Sequence, residues 1–79
     1  MTTTSLKKVI AYHISRLHDK NREVRLKAIA ELSLVADQDA LNALRSVFEK
    51  DEDNEVRKAA QEGGRAVFLR LKEQNADNR

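Results

Sequence analysis

Two arginines occupy the same local context, Glu23-Val24-Arg25 and Glu55-Val56-Arg57, and each follows an aspartate, Asp19 or Asp51, by six residues. An arginine near the amide end of a helix could hold an anionic ligand. The same residue types could instead tie a turn to the helix after it. Duplication favours this structural use, because repeats reproduce structural residues more faithfully than functional ones. Asp51, Asp53, Glu55 and Glu62 fall at positions 1, 3, 5 and 12 of a calcium-loop template, but position 6 requires glycine and here holds Val56. The cluster therefore reads as a solvated acidic turn. His13 and His18 are the only histidines. Their spacing of five misses the i, i+4 register that places two ligands on one helical face, and no cysteine is present to extend the set. Ser5, Ser15, Ser33 and Ser46 have no base that spacing brings near them, so no nucleophilic constellation can be assembled. Gly63-Gly64 lies inside a helical pattern, not between a strand and a helix, and so does not form a phosphate loop. The residues thus support no catalytic site, no metal site and no cofactor.

The bulk properties agree with a binding role more than a chemical one. The 79 residues form a single domain, 1–79, with a formal charge of +2 although 35% of the residues are charged. Such a surface is mixed and well solvated. Lys7, Lys8, Arg57, Lys58, Arg65, Arg70 and Lys72 make both ends basic and could meet a phosphate backbone, but Glu62 and Glu73 interrupt them. Nucleic acid is accordingly the weaker expectation. No apolar run reaches membrane-spanning length and no secretory signal is visible, so a cytoplasmic location is expected.

Helices must position whatever surface acts. Proline is absent and glycine occurs only at 63 and 64, while alanine, leucine, lysine, arginine and glutamate dominate. Thr4 or Ser5 is the expected cap of a first helix over 6–17, whose stripe is Leu6, Val9, Ile10, Ile14 and Leu17. Asn21 should cap a second helix over 22–36, and Asp39 a third that carries Ala40, Leu41, Leu44, Val47 and Phe48. A fourth, from about Asn54, uses Val56, Ala60, Val67, Phe68 and Leu71, and residues 74–79 read as a frayed polar end. Connections this short favour antiparallel neighbours.

A shift of 32 positions aligns Asp19, Glu23, Val24, Arg25, Ala28 and Val35 with Asp51, Glu55, Val56, Arg57, Ala60 and Val67. One helical hairpin per period in this range is the signature of an α-solenoid. Leu17-His18-Asp19…Glu23-Val24-Arg25…Ala28…Leu32 and Phe48…Asp51…Glu55-Val56-Arg57…Ala60 resemble HEAT-type repeats, in particular the short variety known from phycobilin lyases. The resemblance implies an all-α chain of four helices in two antiparallel helical hairpins, a minimal HEAT-like solenoid with repeats at 6–36 and 39–73. It also implies that Asp19, Arg25, Asp51 and Arg57 stack as a structural ladder between repeats. The departure is Gly63-Gly64, where Gly64 stands opposite Leu32. Either the fourth helix kinks there or another helix packs against the bare backbone.

The two copies differ on the face opposite the Val/Ala stripe. The fourth helix carries Lys58, Gln61, Glu62 and Arg65 there, and the second carries Leu26, Ile29, Ala30 and Ser33. The second helix is thus apolar nearly all round. It is buried on several sides, or Leu26, Ile29 and Ala30 form a patch for a partner protein or a homodimer. The expected function is a non-catalytic protein–protein interaction or adaptor module, with Leu26, Ile29, Ser33, Lys58, Gln61 and Arg65 as its contact set. The resemblance also implies an alternative, an accessory role in chromophore handling.

Overall fold

The computed structural model describes residues 3–77, with side chains from 5 to 75. Four helices follow in order: α1 (Thr3–Arg16), α2 (Arg22–Leu32), α3 (Gln38–Lys50) and α4 (Asn54–Asp77). They pair as two antiparallel hairpins, α1–α2 and α3–α4, and the second hairpin stacks on the first mainly through α2 and α4. The described residues include no strand. Thr4 and Ser5 lie inside the first turn of α1 and not ahead of it. At the other end α4 runs on to Asp77, so 74–77 are helical; residues 78 and 79 lie outside the described part.

The two repeat turns are built alike. In the first, Asp19 Oδ1 accepts a hydrogen bond from the Asn21 N–H at 2.9 Å, and the Asn21 side chain accepts one from the Glu23 N–H. Extended backbone at Asn21 (φ −82°, ψ 118°) then lets α2 begin at Arg22. In the second turn Asp51 Oδ1 accepts from the Asp53 N–H at 2.9 Å, and Asp53 Oδ1 accepts from the Glu55 and Val56 N–H groups. The cap of α3 is Asp37 and not Asp39. Its carboxylate is buried, accepts from the Ala40 N–H at 2.9 Å and lies 2.5 Å from Lys7 Nζ. Burial pushes this carboxyl upward, but the Lys7 hydrogen bond and the Ala40 amide outweigh it and hold it below the usual range.

The second helix ends at Leu32, four residues short of the sequence expectation. Ser33 Oγ donates back to the Ile29 carbonyl at 2.6 Å, and tighter i→i−3 bonds follow from Leu34 to Glu31 and from Val35 to Leu32. Arg70 of α4 donates to the Ser33 carbonyl and so closes the exposed acceptor end of α2.

Between the layers lie Ile10 of α1, Leu17 in the turn after it, Ala28, Ile29 and Leu32 of α2, Leu41, Leu44 and Val47 of α3, and Val56, Ala60 and Val67 of α4. Val56 is fully buried, whereas its counterpart Val24 is half-buried in an open hollow beside Tyr12 and Lys27 that none of the described helices covers. The glycine pair is also explained by contact. A Cβ at Gly63 would overlap Ser33 Oγ and press on Ile29 Cγ2 at 3.4 Å, so bare backbone is what lets α4 approach α2 here. Gly64 faces α3, where a Cβ would meet Leu41 and Leu44 at ordinary distances of 3.8 and 3.9 Å.

Candidate functional site

One stripe of each repeat's second helix faces onward along the stack, toward where the next repeat sits. On α2 this stripe is Arg25, Ile29 and Ser33, one helical turn apart. Arg25 Nε lies 3.0 Å from Asp51 Oδ2 across the repeat boundary, and both side chains are largely enclosed, 17% and 10% exposed. Its Nη1 also donates to the Asp19 and Lys20 carbonyls of its own turn. Ile29 is 2% exposed, and Ser33 packs on Gly63. The neighbouring Arg22 also crosses the boundary, with Nε 2.9 Å from Asp53 Oδ2 and Nη2 3.1 Å from Glu55. The Arg22 hydrogen bond holds the Asp53 carboxyl at about 2, helped by the Val56 amide.

Ile29 therefore leaves the expected contact set, since a side chain packed between repeats is not available to a partner. Its burial also breaks the apolar patch on which a homodimer through α2 would depend. Leu26 is half-buried against the core, and only Ala30 of that patch is exposed. Ser33 is half-buried, with its hydroxyl committed to the Ile29 carbonyl. Lys58, Gln61 and Arg65 of α4 are exposed.

The equivalent onward stripe on α4 is Arg57, Gln61, Arg65 and, one turn later, Phe68. No repeat covers it. Arg57 Nη1 donates to the Asp51 carbonyl at 2.7 Å and Nη2 to Asn54, but it meets no carboxylate among the described residues. Asp19 is paired within its own hairpin, 3.3 Å from Arg16 Nη2. Of the four residues Asp19, Arg25, Asp51 and Arg57, the structure thus brings Arg25 and Asp51 together across the boundary and leaves the outer two apart. Beside the α4 stripe a groove of about 440 Å³ opens between α3 and α4, walled by Leu41, Phe48 and Phe68 and rimmed by Arg45, Glu49 and Arg65. Phe48 and Phe68, expected in the core, are 42% and 45% exposed. The repeat register held a signal for Phe68, because it stands opposite the small Ala36.

The histidines stay apart from any ligand set. His13 packs edge-on against Tyr12 with ring centroids 5.2 Å apart, and His18 is exposed in the turn. No group of three metal-binding side chains occurs among the described residues. No helix of the described part is long and apolar enough to cross a membrane.

The sequence matches the family model for HEAT repeats over residues 3–63, a span that ends where the glycine pair begins. Neither a curated protein nor a solved structure matches it. With four helices in two stacked hairpins and a family match over most of its length, the chain belongs to the HEAT repeat family.

Proposed function

We propose that this chain is a non-catalytic protein-binding module, an adaptor that works through the outer surface of its second hairpin. HEAT repeats commonly mediate protein–protein interaction, and one observation of this chain carries the reading. The stripe that α2 buries against the next repeat recurs on α4, where none of the described helices covers Gln61, Arg65 and Phe68 and Arg57 is half-buried in its own turn. Lys58, Gln61 and Arg65 are the contact residues; Leu26 and Ser33 of the expected set are half-buried, Leu26 against the core and Ser33 against Gly63.

The test is a comparative capture from extract of the source cell. It uses the immobilised chain beside a Lys58→Glu, Gln61→Glu, Arg65→Glu variant whose helicity and melting are unchanged. A protein retained by the first and lost by the second supports the reading; identical retained sets overturn it.

Two other readings have less support. Backbone binding to nucleic acid loses several of its cations to internal work: Lys7 pairs with Asp37, Arg57 holds its own turn and Arg70 closes α2. The likeness to short phycobilin-lyase repeats suggests a chromophore-handling accessory role, and it rests on the repeat motif alone. A bilin titration whose absorbance stays unaltered would end it.

A further inference from the structure

We infer that the groove between α3 and α4, together with Arg57, seats an acidic amphipathic helix of another protein in the position a third repeat would take. This rests on the protein-binding reading above and adds to it the place and chemistry of the partner.

The shape follows from the chain's own repeat boundary. There the Arg25–Ile29–Ser33 stripe is covered by a helix, α4, which comes close enough to need glycine at 63, and its arginine is met by the aspartate of the incoming turn. The same stripe one repeat later offers Arg57 without a carboxylate and an adjoining apolar groove between Phe48 and Phe68. A helix laid along α4 would place aliphatic side chains between these rings and a carboxylate on Arg57. Helix-in-groove recognition of this kind is read through apolar anchors one turn apart.

The charge follows from the rim. Arg45 and Arg65 rim the groove against one acid, Glu49, and neither arginine has an ion-pair partner among the described residues; Arg57 stands one turn before Gln61 on the same stripe of α4. A second copy stacked head-to-tail is a poor occupant. The surface it would present, around Tyr12 and Val24, carries Arg16 and Lys27 and no acid, which repeats the sign of the groove. Its Asp19, the counterpart of Asp51, is already paired with Arg16. Like charges across an interface reject the wrong partner, and opposite charges speed encounter with the right one.

The experiment titrates the full ¹⁵N-labelled chain with three synthetic helical peptides of equal length. The first has leucine at one-turn spacing flanked by glutamate and aspartate, the second has lysine for the acids, and the third has alanine for the leucines. The acidic leucine peptide should bind, with amide shifts concentrated around Phe48, Arg57, Arg65 and Phe68. The lysine and alanine peptides should bind at least about tenfold more weakly, and Arg65→Glu or Phe68→Ala should weaken the first peptide by about tenfold. Both variant sites are exposed, and unchanged melting shows that the variants fold. Equal binding of the lysine peptide, or no binding of the acidic one, overturns the inference. Shifts centred on Leu26 and Ala30 also overturn it, while leaving the protein-binding reading in place. Concentration-dependent self-association in sedimentation that Phe68→Glu abolishes would assign the seat to a second copy and overturn it as well.

Discussion

The onward stripes of α2 and α4 are the same stretch of helix written twice and put to different use. Arg25, Ile29 and Ser33 are covered, and each is spent on cohesion: an ion pair to Asp51, an apolar contact and a close approach to Gly63. Arg57, Gln61 and Arg65 stand in the same register; Gln61 and Arg65 are exposed, and Arg57 is half-buried with its hydrogen bonds inside its own turn. Whether such a residue stabilises the fold or remains available to a partner is decided by the neighbouring repeat and not by its position in its own helix. Gln61 and Arg65 make this stripe polar, while the half-exposed Phe48 and Phe68 leave apolar surface beside it.

The comparison breaks most visibly if paired substitutions in the two stripes behave alike. Ile29→Ala removes a fully packed side chain and should cost about 3 kcal/mol. Gln61→Ala, at the same register but exposed, should stay within about 0.5 kcal/mol. Urea unfolding of both variants measures this directly. Equal losses would mean that the two stripes are covered alike.

The arginines give a smaller contrast. Arg25→Ala strands an enclosed Asp51 carboxylate and two turn carbonyls, for an expected loss of about 2 kcal/mol. Arg57→Ala gives up hydrogen bonds to the Asp51 carbonyl and Asn54 with no carboxylate left behind, and the loss should stay below about 1 kcal/mol. A double-mutant cycle of Arg25→Ala with Asp51→Ala should show strong coupling; additivity would count against the cross-repeat pair.

The glycines split by the neighbour each one faces. Gly64→Ala gains helix propensity and meets Leu41 and Leu44 at ordinary contact distance, so it should stabilise by about 0.5–1 kcal/mol. Gly63→Ala gains the same propensity but must turn Ser33 off the Ile29 carbonyl and press on Ile29. It should come out neutral to about 1 kcal/mol destabilising. Ser33→Ala should relieve part of that loss. Thermal melts that rank the two glycine variants the other way would show that α4 does not lean on α2 as described.

Much of the frame was legible because local chemistry decides it. Asn21 caps α2 through a side chain two residues from its target, and Val56, Ala60 and Val67 recur on one face of α4 and are buried together. What escaped depends on partners remote in sequence. Asp39 is the expected cap of α3, but Asp37 takes the place with Lys7, 30 residues away, on its carboxylate. The end of α2 at Leu32 is set by Ser33 and by Arg70, 37 residues on. The all-round apolar α2 was ambiguous between core and patch, and only the arrival of Gly63 settles Ile29. Phe48 and Phe68 belong to apolar stripes by periodicity, yet a stripe is buried only where an element covers it, and none of the described helices covers these two.

The smallest expected effect concerns the caps. Asn21 and Asp53 occupy the same repeat position and both accept amide hydrogen bonds at a helix start, but only Asp53 is charged and only it has an arginine from the preceding repeat. The Arg22 hydrogen bond holds the Asp53 carboxyl at about 2, against an ordinary 3.8. A depressed carboxyl contributes stability that is complete above its unfolded value and is lost as pH falls through its folded one. The contribution should therefore be full above about pH 4 and fade toward about pH 2. Asp37, also held low, adds to the same acid limb. Asp53→Asn keeps an acceptor for the α4 amides, so it should change little near neutrality and make the fall in stability below about pH 4 shallower. The reciprocal Asn21→Asp should not steepen that limb to match, because no arginine of the described residues meets Asn21 as Arg22 meets Asp53. Melting temperatures of the three proteins between pH 2 and 7 test the point, and an acid limb unchanged by Asp53→Asn would remove Arg22–Asp53 from the contacts that join the repeats.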